Sequence, residues 1–73
     1  MKLIKGQRYR GEIALGMLEQ YAGNVTVAHK LEEAGFSDVV VTGTGRSRVA
    51  VGTFDYETQE VKLPSQVKSI EAV

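Results

Sequence analysis

The chain has no cysteine and no tryptophan, and only one proline and one histidine. Without cysteine it can form neither a disulfide framework nor a thiolate zinc site. A domain free of disulfides suits a reducing compartment. Without a second histidine, the usual metal sites have no ligand set. An excess of one charge is also lacking, because nine basic residues balance nine acidic ones. That balance argues against a dedicated nucleic-acid domain, which carries net positive charge. No apolar run approaches the ~20 residues that cross a bilayer, and the N-terminus lacks the apolar core of a secretory signal. The expectation is a protein of the cytoplasm or of a virion, with no membrane segment and no cofactor.

The 73 residues are 42% apolar and 25% charged, an ordinary globular composition. They suffice for one small domain spanning residues 1–73. Such a domain buries only ~60% of its unfolded surface, so its core is thin. Charge is unevenly spread. Residues 1–10 carry Lys2, Lys5, Arg8 and Arg10, whereas residues 11–45 carry five acids against Lys30 alone.

Met1–Lys5 alternates loosely, as an edge strand does, and Gly6-Gln7 reads as a turn. Arg8–Leu15 alternates with Tyr9, Gly11, Ile13 and Leu15 on one side, the pattern of a half-buried strand. Ile13, Met17, Leu18, Tyr21 and Ala22 also fall at helical spacing, so a helix over 12–22 is the rival reading. The preferred one is a strand to about Leu15, a bend at Gly16 and at most one helical turn before Gly23. Asn24 is a good N-cap residue. Val27, Ala28, Leu31 and Ala34 then form an apolar helical stripe. Gly35 suits the left-handed position after the helix, with Phe36 folding back on Leu31. Val39–Val41 is β-branched and predicts a well-covered strand. Residues 42–47 are a glycine-rich hairpin tip, and Arg48–Phe54 alternates cleanly. Glu60–Leu63 reads as a short strand ended by Pro64. Val67–Val73 fits either a strand or a short helix.

These residues resemble the sporulation-related repeat (SPOR) domain, a bacterial peptidoglycan-binding module. The likeness is carried by Ile13, Leu15 and Gly16, then by Leu31, Gly35 and Phe36, then by Arg48, Val49, Val51, Gly52 and Phe54, across residues 9–54. It implies a strand, a helix and two further strands, and binding to glycan strands. The chain departs from that pattern at Ala14, where the family usually has glutamine, and at Ser47, where it often has an aromatic residue. It departs again after Phe54, where a second helix belongs but Asp55–Leu63 is weakly helical and Pro64 interrupts.

Four small residues on the two central strands, Ala14, Gly16, Ala50 and Gly52, are expected to share the sheet face away from the helix. Flat exposed backbone of that kind suits close approach by a partner or a glycan. With Arg48 beside them they form the candidate binding surface. The opposing reading is that Val67, Ile70 and Val73 cover this face. Gly43–Arg48 is no phosphate loop, because it opens a strand and lacks the Lys-Ser/Thr pair. Arg8 and Arg10 are expected at one end of the sheet and Arg46 and Arg48 at the other, both of the latter solvated, so the arginines do not pool for nucleic acid. His29 lies at the edge of the helical stripe. Glu32 and Glu33 point about 100° apart and form a solvated face. Ser37, Ser47, Ser65 and Ser69 have no evident base partner.

The expected fold is α+β, a small, mostly antiparallel sheet with one main helix on one face, in a ferredoxin-like or SPOR-like β-α-β-β arrangement. The expected role is non-catalytic binding or assembly. A protein-interaction or structural subunit that binds a partner or itself, for instance a phage or prophage component, comes first. Peptidoglycan glycan binding comes second, and weak nucleic-acid binding third.

Overall fold

The computed structural model describes residues 1–73. Its elements run β1 (Lys2–Leu3), β2 (Arg8–Ala14), a 3-10 turn (Glu19–Tyr21), α1 (Asn24–Glu33), β3 (Phe36–Thr44), β4 (Ser47–Phe54), β5 (Gln59–Glu60) and β6 (Val67–Ala72). β2, β3, β4 and β6 form one antiparallel sheet in the order β3-β4-β2-β6, and β1 pairs with β5 in a separate two-stranded sheet. The expected α+β class is what the chain adopts. No helix is long and apolar enough to cross a membrane.

β2 is central because its alternation serves two neighbours. Tyr9 and Ile13, with Leu15 just past the strand, are buried, while Arg8, Arg10 and Glu12 take the other face. β3 and β4 join through Gly45-Arg46, with Thr44 opposite Ser47. Only Gly45 of that pair has a positive φ, +69°, the sign pattern of a II′ turn, whose twist matches paired strands. The stretch after β2 is no helix across 12–22. The strand ends at Ala14 and only Glu19–Tyr21 turns, as 3-10.

α1 starts differently from the expectation. Gly23, not Asn24, is the N-cap, and the Val27 N–H donates to the Gly23 carbonyl at 3.2 Å. Asn24 is already helical, so its side chain reaches away to the hairpin tip instead of capping. The helix ends as expected, with Gly35 at φ +107° and its N–H donating to Glu32 O at 3.1 Å. A Cβ at Gly35 would sit 2.6 Å from the Tyr56 ring, so this position excludes side chains on two counts. Phe36 leaves the helix to meet Phe54 edge-on, with ring centroids 5.4 Å apart.

β3 is not the well-covered strand that Val39–Val41 predicts. It lies at the sheet edge, a bulge at Asp38–Val39 breaks its register, and Val40 is 53% exposed. Asp38 sits at φ +50°, the left-handed residue this bulge needs. Residues 67–72 are the strand of the two alternatives. β6 lies beside β2 and does not cover the sheet. Two clusters make the core: Leu3, Tyr9 and Phe54 in one, and Ile13, Leu15, Val27 and Ala50 in the other. Only 10 of 73 residues are buried, so much apolar surface has partial cover.

Candidate interaction surface

The five residues expected to form one binding face do not share one. Ala50 is 6% exposed and belongs to the core with Ile13. Gly52 is buried as well, and a Cβ there would lie 3.1 Å from Val39 Cγ2. Arg48 is 5% exposed. Ala14 stays on the opposite face, half-buried, and Gly16 lies beyond the strand end, its N–H donating to Glu19 Oε1 at 2.8 Å. The cause is the phase of the ladder. Tyr9 opposes Gly52, Gly11 opposes Ala50 and Ile13 opposes Arg48. Directly opposed residues project to the same side. Arg48, Ala50 and Gly52 therefore point inward with Tyr9 and Ile13, and a one-residue slip would have reversed every one of them.

Arg48 is not the solvated hairpin residue it was expected to be. Nη1 donates to Asn24 Oδ1 at 2.8 Å, Nη2 to the Gln20 carbonyl at 2.9 Å, and Nε to the Gly45 carbonyl at 3.1 Å. No carboxylate lies within ion-pair distance of it. A guanidinium stays charged when buried, so the neutral acceptors must satisfy it. No buried side-chain donor is left without a partner. One side chain thus ties β4, the 3-10 turn, the start of α1 and the hairpin tip together. Asn24 completes the knot by donating to Gly43 O at 3.1 Å. This is a structural clamp, with all three guanidinium nitrogens engaged inside the chain.

The other arginines are dispersed as expected. Arg8 contacts Asp38 at 3.6 Å and Thr53 Oγ1 at 3.1 Å, and Arg10 lies 3.6 Å from Glu71. Arg46 donates to the Leu15 carbonyl at 3.2 Å, at the far end of the sheet. His29 is exposed on α1, 4.0 Å from Glu32. Lys5 and Glu57 form an exposed pair at 2.8 Å. Their hydrogen bond, reinforced by Coulomb attraction, raises the Lys5 pKa and lowers that of Glu57.

What the fold gathers instead is an apolar surface around the 3-10 turn. Met17 is 70% exposed, Leu18 85%, Tyr21 81% and Val25 70%. In a 3-10 turn, residues three apart eclipse one another, so Leu18 and Tyr21 share one side and Glu19 and Ala22 another. Glu19 and Ala22 line a cleft of about 490 Å³ beneath which lie Leu15, Val27 and Leu31. A second cleft, about 260 Å³, lies over Gly11, Ala50 and Gly52 between α1 and the segment 61–64. The two share Ile13, Lys30, Leu31, Pro64 and Val67, which makes them one groove. The sequence did carry a signal for this surface. Met17, Leu18 and Tyr21 stand at helical spacing, but with no helix to turn them inward they project outward.

No protein-family model matches the chain, and neither curated proteins nor solved structures give a match.

Proposed function

We propose that this chain is a non-catalytic interaction module that docks a protein on the surface formed by Met17, Leu18, Tyr21, Val25 and the adjoining groove. The observation that carries this reading is the exposure of four large apolar side chains within nine residues. Small monomers seldom expose contiguous apolar patches beyond a few hundred Å², and such patches mark interaction sites. Tyrosine and methionine are also enriched where proteins meet. Neutral net charge and one small domain suit an assembling subunit, in the cytoplasm or in a phage particle.

The test compares capture by the wild-type chain with capture by a Leu18→Glu/Tyr21→Glu variant, using extract of the source cells. Both side chains are exposed, so the variant folds, which a thermal melt checks. A protein retained by the wild type and lost from the variant supports the reading. Equal retention by both, or no binding of any protein including itself, ends it.

Glycan binding has one observation in its favour. The sheet face opposite α1 is open, with Ala14, Val40, Val49 and Val51 on it. Arg48, Ala50 and Gly52 contribute nothing to that face. Sedimentation with peptidoglycan sacculi decides this reading, and a chain left in the supernatant excludes it.

A further inference from the structure

Taking the docking reading above as given, we infer that the partner on this surface is a second copy of the chain. Two copies pair about a two-fold axis, so that Leu18 and Tyr21 of each enter the groove of the other. A two-fold interface must be complementary to itself, with projection and recess on the same patch. This surface meets that condition. The 3-10 turn places Leu18 and Tyr21 on one side and uses its next side, Glu19 and Ala22, as the wall of the cleft. Knob and hole are therefore neighbours on each copy.

Charge allows the pairing. The chain is neutral overall, so two copies do not repel each other at long range. The cleft rim carries one acid, Glu19, and one base, Lys30. A two-fold axis passing between these two residues sets Glu19 of one rim against Lys30 of the other.

Area allows it as well. At the exposures given above, the four side chains present on the order of 500 Å². Two copies reach about 1,000 Å², the lower end of specific interfaces. Interfaces of that size are characteristic of weak, transient pairs, so the expected dissociation constant is on the order of micromolar or weaker. A small apolar ligand would fill the groove but leave Leu18 and Tyr21 in water, so it accounts for half of the surface.

The experiment is sedimentation velocity from roughly 5 to 500 µM. The wild type is expected to move from the 8.0 kDa of one chain toward twice that mass as concentration rises. Leu18→Glu and Tyr21→Glu are each expected to weaken pairing by about 30-fold or more. Val40→Glu, on the open sheet face, is expected to leave it unchanged. In a mixed-label sample, isotope-filtered NOEs are expected between the Tyr21 ring of one copy and the Val27 and Leu31 methyls of the other. A dimer that survives both glutamate variants overturns the pairing. A wild-type monomer that captures a foreign protein through Leu18 overturns the pairing and leaves the docking reading standing. A wild-type monomer that captures nothing ends both.

Discussion

Two crossovers in this fold perform the same topological task by different means. Residues 15–35 carry the chain from β2 to β3 past the intervening β4, and residues 55–66 carry it from β4 to β6 past the intervening β2. The first crossover builds α1, because Val27, Leu31 and Ala34 recur at helical spacing and Gly35 ends the helix cleanly. The second has no such stripe. Its first half is polar, β5 is spent pairing with β1, and Pro64 prevents a helix from running into β6. The first crossover closes its part of the sheet with packed side chains. The second lays an extended strap beside α1 and leaves a groove between them. A sheet face is covered only by what its crossovers can bury: the weakly patterned strap leaves a groove, and the part of the first crossover that precedes α1 leaves Met17, Leu18 and Tyr21 in water.

The sharpest way to break this comparison is to release the first crossover. Arg48→Met removes three charge-assisted hydrogen bonds and strands the acceptors of Asn24, Gln20 and Gly45. The expected cost is about 3 kcal/mol, or roughly 12–24 °C in Tm for a domain of this size. Amide exchange should rise first in residues 16–24. Full protection there after the substitution would show that the clamp is dispensable.

Next comes the point where the crossovers touch. Gly35→Ala forces a left-handed backbone and pushes a methyl into the Tyr56 ring. A loss of about 2 kcal/mol is expected in a denaturant titration. Because Tyr56 is half exposed and able to swing away, Tyr56→Ala in the same background should recover part of it.

Two glycine substitutions on the floor of the groove then separate its crowded position from its roomy one. At Gly52 a new Cβ meets Val39 Cγ2 at 3.1 Å and Phe36 at 3.5 Å, so Gly52→Ala should destabilise by about 1 kcal/mol. At Gly11 a new Cβ finds ordinary contacts, 3.4 Å to Ser69 O and 3.9 Å to Val67 Cγ1. Gly11→Ala should therefore stabilise by about 0.5 kcal/mol by restricting the unfolded chain. Equal signs in chemical denaturation would mean that the two positions are packed alike.

The smallest effect concerns the tie between the second crossover and residue 5. The Lys5 hydrogen bond holds the Glu57 carboxyl below its ordinary value. Its contribution is present above the usual carboxylate range and fades as pH falls through the lowered value. The raised Lys5 value adds a contribution that is lost only at high pH. A carbon-detected NMR titration should show Glu57 protonating below the ordinary glutamate value, and Lys5→Met should return it toward that value.

The positions of β2, β4 and the Gly35 stop were legible in the chain, while the hairpin tip, expected over 42–47, narrows to Gly45-Arg46 because β3 and β4 pair as far as Thr44 and Ser47. Each depends on residues close in sequence: an alternation, an apolar stripe, or a glycine where φ must be positive. The intended binding face was not legible. Arg48, Ala50 and Gly52 alternate with Val49, Val51 and Thr53, and the pattern is compatible with either set facing inward. Phe54 settles the phase by entering the core, and the small residues and the arginine follow it. The exposure of Met17 and Leu18 was hidden for a related reason. Their spacing suits a buried helix face, and only the brevity of the 3-10 turn leaves them outside.

The sequence by itself determined that β2 and β4 are extended, that α1 coils and that it stops at Gly35, because those choices are made between near neighbours. Tertiary structure alone decided which side of the sheet became interior, that a guanidinium would be held there by neutral oxygens, and that Met17, Leu18 and Tyr21 would face water. The physical reason is that side chains on a strand alternate with period two. Local forces are indifferent to the phase of that alternation, and only packing across the sheet selects it.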